Sequence, residues 1–182
     1  MKLNKIMMAA VLAFGATSMM ANAAVKDQGH GTVTFTGSII DAPCSITPET
    51  VDQTVDLGQV SNVVLKDGGK STPRNFQIDL ENCELTKTGD GKNNMVSLTF
   101  TGMESSAKNG RLGITGTAQG ASIAITDGAG SVIKLGTPTQ TQTLQNGNNT
   151  LSFAAYLQGD NASGGVVPGD FQSIADFTLA YQ

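Results

Sequence analysis

The sequence predicts an all-β sandwich, and three observations carry that reading. Short runs of alternating apolar and polar residues recur along the chain, bounded by Gly, Asn and Asp. No window carries a long apolar stripe at the 3.6-residue period of a helix. Glycine is abundant, 22 of 182 residues, which suits a fold with many tight turns.

The first 23 residues stand apart from that pattern. Lys2 and Lys5 form a short basic segment, and a mostly apolar run follows from Ile6 to Met20. Ala21-Asn22-Ala23 then supplies the small-x-small pattern of a cleavage site, so residues 1–23 are expected to be a signal peptide. The run holds Gly15, Thr17 and Ser18 and lacks flanking stop-transfer charges, which argues against a membrane anchor. The expected organisation is signal 1–23, an arm 24–40 and a single domain 41–182. The 159 residues left after cleavage can bury a core of their own.

The arm opens the β pattern. In "GHGTVTFTGSIIDAPC" (29–44), Thr32, Thr34, Thr36 and Ser38 alternate with Val33, Phe35, Gly37 and Ile39, as in a strand with one wet and one buried face. Gly37 leaves a hole in the row meant for burial, where glycine weakens a strand. "VDQTVDLGQV" (51–60) reads as a strand with Val55 and Leu57 inward. "RNFQIDLENC" (74–83) sets Phe76, Ile78 and Leu80 against Gln77, Asp79 and Glu81, and "NMVSLTF" (94–100) sets Val96, Leu98 and Phe100 on one face. "ASIAIT" (121–126) and "SVIKLG" (131–136) flank the turn "DGAG". "TPTQTQTLQNGNN" (137–149) reads as a polar loop or edge. "NTLSFAAYLQ" (149–158) places Leu151 and Phe153 inward, with Ala154-Ala155 blurring the register beyond. "DFTLAYQ" (176–182) alternates Phe177, Leu179 and Tyr181 against Thr178 and Ala180 and runs to the last residue. That last strand has neither the proline nor the lysine that protects an edge. Either the two ends of the chain pair with each other, or each seeks a partner in another molecule.

Charge and cysteines narrow the function. Without Lys2 and Lys5, nine basic residues face 15 acidic ones, a formal charge of −6, and no basic cluster exists. Nucleic acid and anionic membrane surfaces are therefore excluded as partners. Cys44 and Cys83 are the two cysteines of an exported chain, which reads as one disulfide. It would close a loop of about 40 residues and stabilise by roughly 4 kcal/mol on the chain-entropy account.

The sequence offers no catalytic or cofactor chemistry. The single histidine, His30, lies between Gly29 and Gly31, a poor place for a base that must be held still. The carboxylates sit in turns or on wet faces. "GAGSV" (128–132) lacks the helix a dinucleotide loop requires, and "DGKNN" (90–94) misses the spacing and closing Glu of a calcium loop. Asn148-Asn149-Thr150 and Asn161-Ala162-Ser163 match the N-glycosylation pattern, a weak signal alone. No enzyme activity, metal or cofactor is expected.

Three stretches taken together, "GTVTFTGSIIDAPCSI", "ENC" and the terminal "FTLAYQ", resemble the major pilin subunits of chaperone–usher fimbriae, most of all those of P pili and mannose-resistant fimbriae. The resemblance implies an incomplete immunoglobulin-like sandwich that lacks its last strand and carries an apolar groove between its first and last strands. A periplasmic pilus chaperone would fill that groove first. The arm of the next identical subunit would then replace it at the outer-membrane usher, building an extracellular fibre that serves adhesion, with tip and adaptor pilins at its end. Strand addition of this kind is an established recognition mode. The groove-facing donor row would be Gly31, Val33, Phe35, Gly37 and Ile39, and the acceptor strand would present Phe177, Leu179, Tyr181 and Gln182. Glycine at 37 would allow close approach to the groove floor. Two other readings stay open: a minor adaptor or terminator pilin, and a complete secreted β-sandwich that binds a ligand. A chain of this length has no room for the second, receptor-binding domain of a tip adhesin.

Overall fold

The computed structural model describes residues 29–85, 94–161 and 163–182. The chain divides into two units, Met1–Ile39 and Ile40–Gln182. Within the second unit the elements follow in order as β1 (Ser45–Ile46), a one-turn helix α1 (Pro48–Val51), β2 (Arg74–Cys83), β3 (Met95–Gly102), β4 (Thr115–Gly116), β5 (Ala121–Asp127), β6 (Val132–Ile133), β7 (Gln142–Thr143), β8 (Gly147–Gly159), β9 (Phe171–Gln172) and β10 (Ala175–Tyr181). They form a five-stranded sheet in the order β1-β2-β8-β5-β6, a three-stranded sheet β10-β3-β7 and a short ribbon β4-β9. Each pairing is antiparallel. The all-β expectation holds, and the sheets do not close on themselves.

The core lies where the two larger sheets turn their apolar rows toward each other. Ile78 and Leu80 from β2, Leu151 and Phe153 from β8, and Val96, Leu98 and Phe100 from β3 are all buried. Aromatic contact bridges the sheets: Phe153 stacks on Phe76 with ring centroids 5.6 Å apart and meets Phe100 edge-on at 5.2 Å, the geometries that aromatic quadrupoles favour. The β8 alternation runs on past the doubtful alanine pair, because Ala155 and Leu157 are buried in the same row as Leu151 and Phe153.

The predicted β2 has the bounds the sequence suggested, with one addition. Its register against β8 shifts between Leu80 and Cys83, where Asn82 takes a φ of 53°. This bulge turns Cys83 inward, and Cys83 is bridged to Cys44. The predicted hairpin at "DGAG" also forms. The Asp127 carboxylate accepts from the N–H groups of Ala129 (3.0 Å) and Ser131 (2.8 Å), and Gly130 takes φ 85°. Its second strand is shorter than expected, two residues rather than six.

Two expected strands are not strands. Residues 52–60 lie in no sheet, although Val55 and Leu57 are half-buried between exposed neighbours as the alternation required. Residues 29–41 likewise carry no strand. The reason is the same in both: a strand exists through its ladder, and the pattern alone supplies no partner. The helix α1 was not foreseen; Pro48 opens it at the position where proline's fixed φ and missing N–H cost nothing.

A groove left open beside the last strand

The groove is assembled from two walls and an apolar floor. One wall is residues 51–60, which leave the sandwich immediately after β1 and α1. Their start is fixed firmly. Ser45 and Ile46 pair with Glu81 and Leu80, the Thr47 N–H donates to the Asp79 carbonyl at 3.0 Å, and the Asp79 N–H donates to Thr50 Oγ1 at 3.1 Å. Beyond that anchor, residues 53–60 make no backbone–backbone hydrogen bond among the described residues. The Gly58 N–H is met only by the Asp56 carboxylate.

The opposite wall is the stretch 171–177, where β9 passes into β10. β10 is held on one side only. Met95 and Gln182 exchange both backbone bonds, at 3.0 and 2.9 Å, and such pairs alternate along an antiparallel ladder. Ala180 and Thr178 therefore bond to their partners Ser97 and Thr99, whereas the N–H and C=O groups of Tyr181, Leu179 and Phe177 point away from β3. That second side of β10 has no strand beside it among the described residues.

Between the walls lies a cavity of about 1250 Å³. Phe76, Ile78, Phe100, Leu112, Ile123 and Leu157 contribute to its lining. Leu112 reaches it through a loop held by Asp160, whose carboxylate accepts from Ser105 (3.0 Å), Asn109 (3.1 Å), Arg111 (3.2 Å) and Ser122. Buried polar side chains thus pair among themselves around one carboxylate, leaving the groove floor to apolar groups.

Of the acceptor residues expected from the sequence, Phe177 lines the cavity. Leu179 and Tyr181 are half-buried against the core, and Gln182 is exposed, fixed by its backbone to Met95. Burial raises the Tyr181 phenol above the ordinary tyrosine value, and its Oη meets no partner among the described residues. Sequence reasoning had not singled out Val60, Ile114, Phe171 and Ile174, which also line the cavity. The half-buried alternation of 51–60 is a signal for Val60 alone; Ile114, Phe171 and Ile174 lie outside it.

In the first unit, the expected donor row is exposed throughout, with Val33, Phe35 and Ile39 at 74, 90 and 104%. Gly37 is notable for what does not constrain it. Its φ lies outside the left-handed region, and a Cβ built there would meet nothing within 4 Å. By contrast, a Cβ on Gly159 would lie 1.9 Å from the Leu65 carbonyl oxygen, a steric demand internal to the body. Within the first unit, nothing requires a glycine at position 37. Among the described residues no helix is long and apolar enough to cross a membrane.

A disulfide-bridged immunoglobulin-like sandwich, open along one edge of its last strand, defines a pilin-type subunit. The chain belongs to the fimbrial protein family, which matches residues 33–182. It is 65% identical over 182 residues to the Fimbria A protein of Serratia marcescens and 56% identical over 185 residues to the Major MR/P fimbria protein of Proteus mirabilis, covering all of each chain. Among solved structures it is similar to the P pilus rod subunit PapA, at 36% identity and TM-score 0.69, covering 78% of this chain and 100% of that one. It is also similar to a subunit of a chaperone–usher pilus whose structure addresses rod uncoiling, at 37% identity and TM-score 0.77, covering 88% and 100%.

Proposed function

We propose that this chain is the repeating shaft subunit of a chaperone–usher fimbria and that it polymerises by donor-strand exchange. The observation that carries the proposal is the groove itself: an apolar cavity bordered by residues 53–60, which have no backbone ladder, and by β10, whose outer edge has no strand beside it among the described residues. Val33, Phe35 and Ile39 of a second copy would each contribute ~1.5–3 kcal/mol on burial there. The arm's backbone would close both open rows at once. Because donor and acceptor surfaces differ, each subunit that joins exposes a new arm or a new groove, and the assembly grows as a filament. The relatives named for major fimbriae and pilus rods support the shaft role over that of an adaptor or a ligand-binding sandwich.

On this reading residues 1–23 are a cleaved export signal, 24–40 the donor arm and 41–182 the acceptor body. A periplasmic chaperone occupies the groove until the outer-membrane usher brings the next subunit, and tip or adaptor pilins cap the fibre. The subunit is structural, with no catalytic role, and the finished fimbria stands on the cell surface.

The test is self-complementation. Appending "GTVTFTGSII" after Gln182 through a short flexible linker is expected to yield a soluble monomer that resists heat far better than the unmodified subunit. An unmodified subunit that is already monomeric and equally heat-resistant would contradict the open-groove reading.

A further inference from the structure

The three-stranded sheet has two outer edges, and they differ in kind. β10 offers an unbroken register from Ala175↔Gly102 to Tyr181↔Val96 and contains no proline. Residues 137–143 run along the other side of β3 irregularly. Thr99 faces Pro138, yet Val96 faces Gln142, so three steps of β3 are matched by four on the edge. One extra residue is therefore bulged into this edge.

Proline sits where it obstructs most. The Thr139 N–H donates to the Leu98 carbonyl at 2.7 Å, and the Leu98 N–H is taken by the Thr139 hydroxyl at 2.9 Å. Adjacent residues of an extended chain direct their backbone groups to opposite sides. With Thr139 bonded inward, the Pro138 nitrogen faces outward, and it has no hydrogen to donate. Immediately beyond it, Thr139-Gln140-Thr141-Gln142-Thr143 is uncharged and alternates β-branched residues, the composition of a segment that self-associates as stacked strands.

We infer that residues 137–143 form a blocked edge, in which Pro138 and the register break behind it keep foreign strands off this side of the sheet and confine strand addition to β10. The inference rests on the reading of β10 as the receptive edge, but its test leaves β10 and the arm untouched, so the two can fail separately.

The test uses the full chain, exported through its own secretion system, carrying Pro138→Val or Pro138→Lys. Both restore an N–H, but lysine adds a charge that itself protects an edge. Formation of the Cys44–Cys83 bridge reports folding, and sheared fibres are assayed by low-speed pelleting and thioflavin T fluorescence. Pro138→Val is expected to raise the pelleted, dye-positive fraction several-fold, with Pro138→Lys close to the parent. Dispersed Pro138→Val fibres would overturn the inference. Equal aggregation of both variants would also overturn it, because proline would then serve folding alone. Should Pro138→Val fail to form the bridge, Pro138→Ala restores the N–H with a smaller side chain and is read the same way.

Discussion

Gly37→Asn is expected to abolish fibre assembly while leaving the subunit body folded. In the donor reading the glycine α-hydrogen faces the acceptor groove. An asparagine there would overpack the floor, costing about 1–3 kcal/mol, and would bury an amide with no partner, costing about 1–3 kcal/mol more. The sum, roughly 2–6 kcal/mol, shifts insertion by more than tenfold at its lower end and by several orders of magnitude at its upper. The body is not expected to share this cost, since position 37 belongs to the other unit, where its backbone makes no demand for glycine. The readout is the ratio of polymerised to soluble, chaperone-bound subunit. Soluble subunit accumulating with few or no fibres is the expected result; fibres at the parent's level would mean that position 37 does not face the groove.

Removing the Cys44–Cys83 bridge by paired alanine substitution is expected to cost about 4 kcal/mol. Small domains have only 5–15 kcal/mol in total, and an open sandwich lacks part of its core. The loss falls where the groove wall begins, because the bridge holds β1 to the end of β2 and residues 53–60 have no backbone bonds of their own. Subunit recovered from the periplasm should therefore fall sharply. Fibres that do form should dissociate at nearly the parent's temperature, since a neighbour's arm then braces the same wall. Measuring both in one strain separates the effects. Unchanged subunit recovery would show that the wall does not depend on the bridge.

The sequence carried the strand rows but not their partners. β2, β3, β8 and β10 were legible because each has one face against the core, and burial enforces the period-2 pattern that a reader can see. The stretch 51–60 shows the same pattern with no ladder: Val55, Leu57 and Val60 are half-buried at the groove, and its edge has no strand beside it among the described residues. On the donor reading the arm is the extreme case: its alternation would fit a surface in another molecule, so nothing local reveals whether it is paired. The bulge at Asn82 was hidden because positive φ is a backbone property that asparagine only tolerates. The groove floor was hidden for a different reason. Leu112 and Ile114 arrive from a loop fixed by hydrogen bonds to Asp160, a long-range arrangement that leaves no periodicity behind. The resemblance in the arm and the last strand, rather than any pattern within them, pointed to a groove beside the last strand.

The claim that a neighbour's strand completes this sandwich at β10 is tested most directly by residue-resolved amide hydrogen exchange, comparing the disulfide-intact monomer with the assembled fibre. Thr178 and Ala180 donate to β3 in the subunit itself, so their amides should exchange slowly in both states. Phe177, Leu179 and Tyr181 face the open edge, so theirs should exchange fast in the monomer and become protected in the fibre, a change at every second residue. Protection of all five amides in the monomer, or continued fast exchange of the three outward ones in the fibre, would contradict the account.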